Sequence, residues 1–95
     1  MKKQIKEKWV KALRSGSYQQ GRHQLACASD DGVEFCCLGV LKECLGMPRN
    51  YQARFLSPGT LKKVGFEQKQ ANKLASMNDK GLSFKRIAAW IERWL

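Results

Sequence analysis

Helix and strand breakers divide this chain into short pieces. Gly16, the turn signal Asp30-Asp31-Gly32, Gly46 with Pro48, the pair Ser57-Pro58, Gly65 and the turn Asn78-Asp79-Lys80-Gly81 leave no uninterrupted run beyond about fifteen residues. Several short elements must therefore share one core. Ninety-five residues make a single domain, residues 1–95. A chain this short buries only about 60–65% of its unfolded surface. No repeat, linker or low-complexity segment interrupts it.

The periodicity assigns most of the pieces. Residues 2–15 read as an amphipathic helix, with Ile5, Trp9, Ala12 and Leu13 on one stripe and Lys3, Lys8, Lys11 and Arg14 largely opposite. The polar stretch SYQQGRHQ reads as a loop. HQLACAS and GVEFCC flank Asp30-Asp31-Gly32 and alternate, which predicts a short β-hairpin. A two-stranded ribbon alone is marginal in water, so it must lean on helices. Residues 37–46 read as a helix that Gly46 and Pro48 close, and residues 49–56 read as a loop anchored by Tyr51 and Phe55. Ser57-Pro58 starts a short helix ending near Val64. Residues 67–78 form another. Ser83 caps a last one with a broad apolar face of Phe84, Ile87, Ala88, Trp90, Ile91, Trp94 and Leu95. The expected fold class is α+β: a mostly helical domain of about four to five helices with one short hairpin.

Charge sets the class of partner. Eighteen Lys and Arg against eight Asp and Glu give a net charge of +10, which favours nucleic acid, anionic lipid or an acidic protein face. Mimicry of DNA needs the opposite sign. No apolar run approaches the roughly 20 residues of a membrane span. The opening MKKQIKEKWVKALRSG has no uninterrupted apolar stretch, so it is not read as a secretory signal. The expected location is the cytoplasm, where cysteines stay reduced. The candidate binding surface comprises Lys3, Lys8, Lys11 and Arg14, with Lys62 and Lys63, and Lys85 and Arg86, as smaller groups.

The segment FCCLGVLKECLGMPR decides whether thiol chemistry is in play. It resembles the nucleophile segment of NlpC/P60-type cysteine peptidases, with Cys37 in the nucleophile's place at a helix N-terminus, where the dipole would lower its pKa. Gly39 and the closing Gly46-Met47-Pro48-Arg49 also match. Cys36 stands where that family has Asp, Leu38 where it has Ser, and no His follows Cys37. His23 lies upstream, with Asp30 and Asp31 near it in sequence. A thiolate without a base is a poor hydrolase. His23, Cys27, Cys36 or Cys37, and Cys44 form the one set with metal-ligand chemistry, but no C-x₂₋₄-C pair delivers two zinc ligands from one knuckle. A Cys27–Cys36 or Cys27–Cys37 bridge fits across the hairpin, and the inferred compartment opposes it. The preferred reading is that Cys27, Cys37 and Cys44 are small buried hydrophobes, with Cys36 on the more exposed face. No catalytic residue, metal or cofactor is assigned. Gly39 would let its helix approach the hairpin or helix 2–15 closely.

LASMNDKGLSFKRIAAWIERWL resembles the opening of a helix-turn-helix. Residues 83–95 offer Lys85, Arg86 and Arg93 to phosphates but hold no Asn or Gln to read adenine. An αα-hairpin that packs Trp90 and Trp94 into the core is the preferred reading.

Three segments carry a wider resemblance. KWVKALRSGSYQQ at 8–20, FCCLGVL at 35–41 and LASMNDKGLSFKRIAAWI at 74–91 resemble, in this order, the motifs of a group of small bacteriophage- and prophage-encoded proteins. Many members carry an acidic residue or a cysteine after the centre, where this chain has Lys42 and Glu43. The resemblance implies an origin more than a mechanism. Small phage accessory proteins often bind host machinery, including CRISPR and other defence complexes, and block it by contact. The implied function is non-enzymatic: an accessory protein that binds and modulates a host or defence complex. Phosphate-contacting DNA or RNA binding is the alternative, and a cysteine hydrolase the third. Asn78, Asp79, Gly81 and Ser83 are expected to cap backbone groups at both helix ends, and Tyr18 to pack on Trp9.

Overall fold

The computed structural model of the protein describes residues 1–49, 51 and 53–95. Its elements are α1 (Lys3–Arg14), β1 (Gln19–Gln20), β2 (Ala26–Ser29), β3 (Gly32–Phe35), α2 (Cys37–Cys44), α3 (Pro58–Val64), α4 (Gln68–Asp79) and α5 (Phe84–Trp94). The fold class is α+β and mostly helical, as the sequence predicts. The loop expected over 49–56 carries no helix or strand at its described positions, and Leu56 within it is buried. Asn50 and Gln52, which fall in that loop, lie outside the described residues.

Local chemistry accounts for the boundaries. Ser57 Oγ accepts the Thr60 N–H at 3.2 Å with Pro58 at the first helical position, so α3 begins where the Ser-Pro pair predicts. Ser83 Oγ accepts the Arg86 N–H at 3.3 Å and starts α5. At the start of α4, Gln70 Oε1 accepts the Glu67 N–H at 3.0 Å, half of a capping box. The hairpin is antiparallel, pairing Ala26 with Phe35 and Ser29 with Gly32.

The sheet has one strand more than the hairpin. Gln19 and Gln20 lie parallel to Glu34 and Phe35, which makes the order β1-β3-β2. The stretch read as a loop therefore includes a two-residue strand, prolonged by the Gly21 N–H donating to Phe35 O at 2.7 Å. Two polar residues show no alternation for a pattern to detect. Their pairing depends on a strand about fifteen residues later.

The core forms where α1, α2, α4, α5 and the sheet meet. Trp9, Leu25, Leu38, Val40, Leu41, Leu74, Ile87 and Ile91 are its fully buried large side chains. Trp9 meets Phe66 edge-on at 5.5 Å between ring centres, and its Nε1–H donates to Cys37 O at 2.9 Å. Tyr18 packs edge-on against Phe35, also at 5.5 Å. The expected Tyr18–Trp9 contact is thus replaced, because β1 carries Tyr18 onto the sheet. α5 follows α4 after a short turn and packs mainly against α1. Its buried face is Phe84, Ile87, Ala88 and Ile91. Trp90 is half-buried and Trp94 is 63% exposed, so Trp94 is not in the core. At 100° per residue Trp90 falls on the flank of that apolar stripe, whereas Trp94 is close to the angle of Ile87 but lies in the last turn of the helix.

One close approach fixes α2 against the hairpin. A Cβ on Gly39 would lie 1.7 Å from Leu25 O, where the backbone cannot yield without moving β2. Replacing Gly39 with Ala is expected to lower the unfolding free energy by at least about 2 kcal/mol in urea denaturation. An unchanged midpoint would contradict this packing.

Candidate functional site

Two of the four thiols lie inside. Cys37 is completely buried at the first position of α2, and its Sγ–H donates to Leu74 O at 3.6 Å. Burial pushes the Cys37 thiol well up from its ordinary range, against the lowering the helix dipole alone would give. Cys36, expected on the more exposed face, is also buried, and burial raises its thiol too. The burial of Cys36 has a simple cause. Cys36 is the N-cap of α2 with an extended backbone, and α4 packs over that end of the helix. Cys27 and Cys44 are half-buried, and all four cysteines are unbridged. Among the described residues no group of three or more His, Cys, Asp or Glu side chains could hold a metal.

His23 has a different partner from the one the sequence suggests. Asp30 and Asp31 lie in the hairpin turn, whereas Asp79 at the end of α4 takes the His23 backbone N–H on Oδ1 at 2.9 Å. His23 Nδ1 stands 3.4 Å from the same carboxylate. His23 also adopts a left-handed φ of 70°, which is uncommon outside glycine, and Asp79 holds it there. The cleft beside this pair has a volume of about 410 Å³ and includes Arg54, Phe55 and Lys80. Cys37 does not line it.

Asn78, next to Asp79, caps a helix outside its own turn. The sequence expects it to serve the two helices the turn joins, but it reaches the start of α2, and of the turn residues Ser83 caps α5. Asn78 is completely buried. Its Oδ1 accepts the Cys37 N–H at 3.1 Å and the Gln20 Nε2–H at 3.0 Å, and its Nδ2–H donates to Gly21 O at 2.8 Å. Gln20 continues the chain of bonds: Nε2–H donates to Leu82 O at 2.7 Å, and Oε1 accepts the Phe84 N–H at 3.2 Å. Two side-chain amides thereby cap the first turns of both α2 and α5. Neither end has a backbone acceptor of its own.

The basic residues are the remaining chemistry. Lys3, Lys11 and Arg14 line one groove of about 690 Å³ along α1, together with Lys6, Glu7, Val10, Ser15 and Glu92. Arg14 pairs with Glu92 across the packed helices, and this bond holds the exposed Glu92 carboxyl below its usual range. Lys6 Nζ donates to Glu92 O at 3.2 Å. Lys8 does not line the groove; it projects from the flank of α1 nearer α2, where Cys44 Sγ lies 3.9 Å from Lys8 O. Lys62 and Lys63 stand apart on α3, and Lys85 and Arg86 on the first turn of α5. Of the eight predicted cations, three thus cluster and the other five stand in three separate places. Lys6 belongs to the cluster and is missing from the predicted set. Its signal is the spacing Lys3, Lys6, Val10, Arg14, which keeps one helix face.

These features define a small cationic α+β domain with a sealed thiol core. A family model for a domain of unknown function, DUF8296, matches residues 1–54, the span that carries α1, the three strands and α2. The chain belongs to that family. No curated protein and no solved structure matches it.

Alkylation of the native protein tests the sealed core. With iodoacetamide near neutral pH, Cys37 is expected to react at least about tenfold more slowly than Cys27, as read by peptide mapping against time. Equal rates would place the Cys37 thiol at the surface.

Proposed function

We propose that this protein is a non-enzymatic accessory protein of phage type that binds, and thereby modulates, a host or defence complex, such as a CRISPR effector. The α1 groove carries this reading. Lys3, Lys6, Lys11 and Arg14 converge on one depression, with Lys3, Lys11 and Arg14 exposed along one helix face. An acidic protein surface is its natural complement. Each exposed pair is worth about 0–1 kcal/mol, but several converging charges steer encounter and raise association rates by roughly 10- to 1000-fold. The net charge of +10 supplies the long-range attraction. The burial of Cys37 supports a role outside thiol chemistry. The three motifs shared with phage-encoded proteins support the origin.

The protein, immobilised on resin, is mixed with nuclease-treated lysate of a candidate host at low salt. Wild type is expected to retain a defined complex. Lys3→Glu with Lys11→Glu is expected to lower its recovery about tenfold or more, and so is a rise toward 1 M salt, where the screening length falls to about 3 Å. Equal recovery by the two proteins would exclude the groove as the docking surface.

A further inference from the structure

A second surface has a different chemistry. Arg86, Trp90 and Trp94 follow one another at i, i+4 and i+8 along α5, on one face of the helix. Trp90 lines a groove of about 470 Å³ with Lys69, Gln70, Asn72 and Lys73 of α4. Lys69 and Lys73 are themselves one turn apart and exposed. Trp94 is 63% exposed, and the Arg93 guanidinium lies over its ring at 5.2 Å from the centre. No carboxylate lines this groove. The α1 groove, by contrast, contains Glu7 and Glu92.

We propose that the α4–α5 edge binds single-stranded nucleic acid, with bases stacking on Trp94 and Trp90 and phosphates meeting Lys69, Lys73, Arg86 and Arg93. An exposed indole beside uncompensated cations selects a ligand that satisfies both. An acidic peptide would satisfy the cations and leave the rings in water. A duplex would satisfy the cations and keep its bases stacked on one another. A single strand offers both a polyanion and free π-faces, and base–aromatic stacking is worth about 1–3 kcal/mol per base. Gln70 and Asn72 line the groove from α4, whereas α5 has no Asn or Gln; base stacking and phosphate contact, both tolerant of sequence, carry the recognition. Arg93 already stacks on Trp94, the arrangement in which a guanidinium reinforces base stacking. This surface is separate from the α1 groove and stands or falls without it.

Intrinsic fluorescence reads the proposal directly, because Trp9 is completely buried and Trp90 and Trp94 dominate any quenching. The full-length protein is titrated with an oligothymidylate of about 12 nucleotides and with a duplex of equal phosphate count. The single strand is expected to quench emission and to bind more tightly than the duplex. Trp94→Ala, at an exposed position, is expected to weaken single-strand binding about tenfold, the equivalent of one stacked base. Lys69→Glu with Lys73→Glu is expected to weaken it further. The logarithm of affinity should fall against the logarithm of salt with a slope near about −3, for four phosphate contacts. Lys3→Glu with Lys11→Glu, which disables the α1 groove, should leave this binding in place. Equal affinity for strand and duplex without quenching, no binding at low salt, or a self-association that buries Trp94 and excludes the strand would each overturn the proposal.

Discussion

The bonded pair of amides from Asn78 and Gln20 is the constraint on which the rest of the structure depends. Asn78 comes from the end of α4 and is completely buried, yet every polar atom of its side chain has a partner. An amide buried without partners would cost several kcal/mol, whereas a satisfied one specifies a single arrangement. Here that arrangement joins four elements. The Asn78 carbonyl holds the first amide of α2, its amide nitrogen holds the Gly21 backbone, and Gln20 passes the connection to Leu82 and the first amide of α5. Hydrophobic burial supplies most of the driving force, but it is non-directional. The amides set which helix end meets which strand.

Closure of the core follows from that registration. With α2 pinned at its N-terminus and Gly39 pressed against Leu25 O, Cys36 and Cys37 face inward among Leu74 and its neighbours. Trp9 completes the seal from α1 through its bond to Cys37 O. A thiol in such surroundings is held protonated by burial. Reactivity is thereby removed from the centre of the molecule, and the chemistry that remains is on the outside: cations along α1 and a cationic, aromatic edge on α4 and α5. The family match spans the half that carries the sheet and the thiols, whereas Asn78 and the aromatic edge come from the other half.

Much of this is written plainly in the sequence. Local signals act over a few residues, so Ser57-Pro58, Ser83, Gly46 and the Asp30-Asp31-Gly32 turn place the helices and the hairpin close to their observed limits. The apolar stripe of α1 and the close approach at Gly39 are legible for the same reason. What escapes a sequence reading depends on distant partners. Gln19–Gln20 becomes a strand only because β3 is already in place, and Tyr18 follows it onto Phe35 rather than Trp9. Cys36 is buried because α4 covers the start of α2, which strand alternation cannot foresee. Trp94 looks like core by residue type, but in the last turn of α5 it is left in water. The cationic cluster was half legible: helical spacing gathers Lys3, Lys11 and Arg14, while the separation of Lys62, Lys63, Lys85 and Arg86 needed the fold.

Hydrogen exchange at one amide tests the Asn78 anchor most directly. The Cys37 N–H is the first of α2 and has no helical acceptor; among the described residues its partner is Asn78 Oδ1, at 3.1 Å. An ordinary first-turn amide exchanges quickly with water. If the buried amide holds the fold together, Cys37 N–H exchanges only through global unfolding, with the same opening free energy as the most protected core amides of α4 and α5. Exchange of Cys37 N–H at the rate of a frayed helix end, while the core stays protected, would contradict the account.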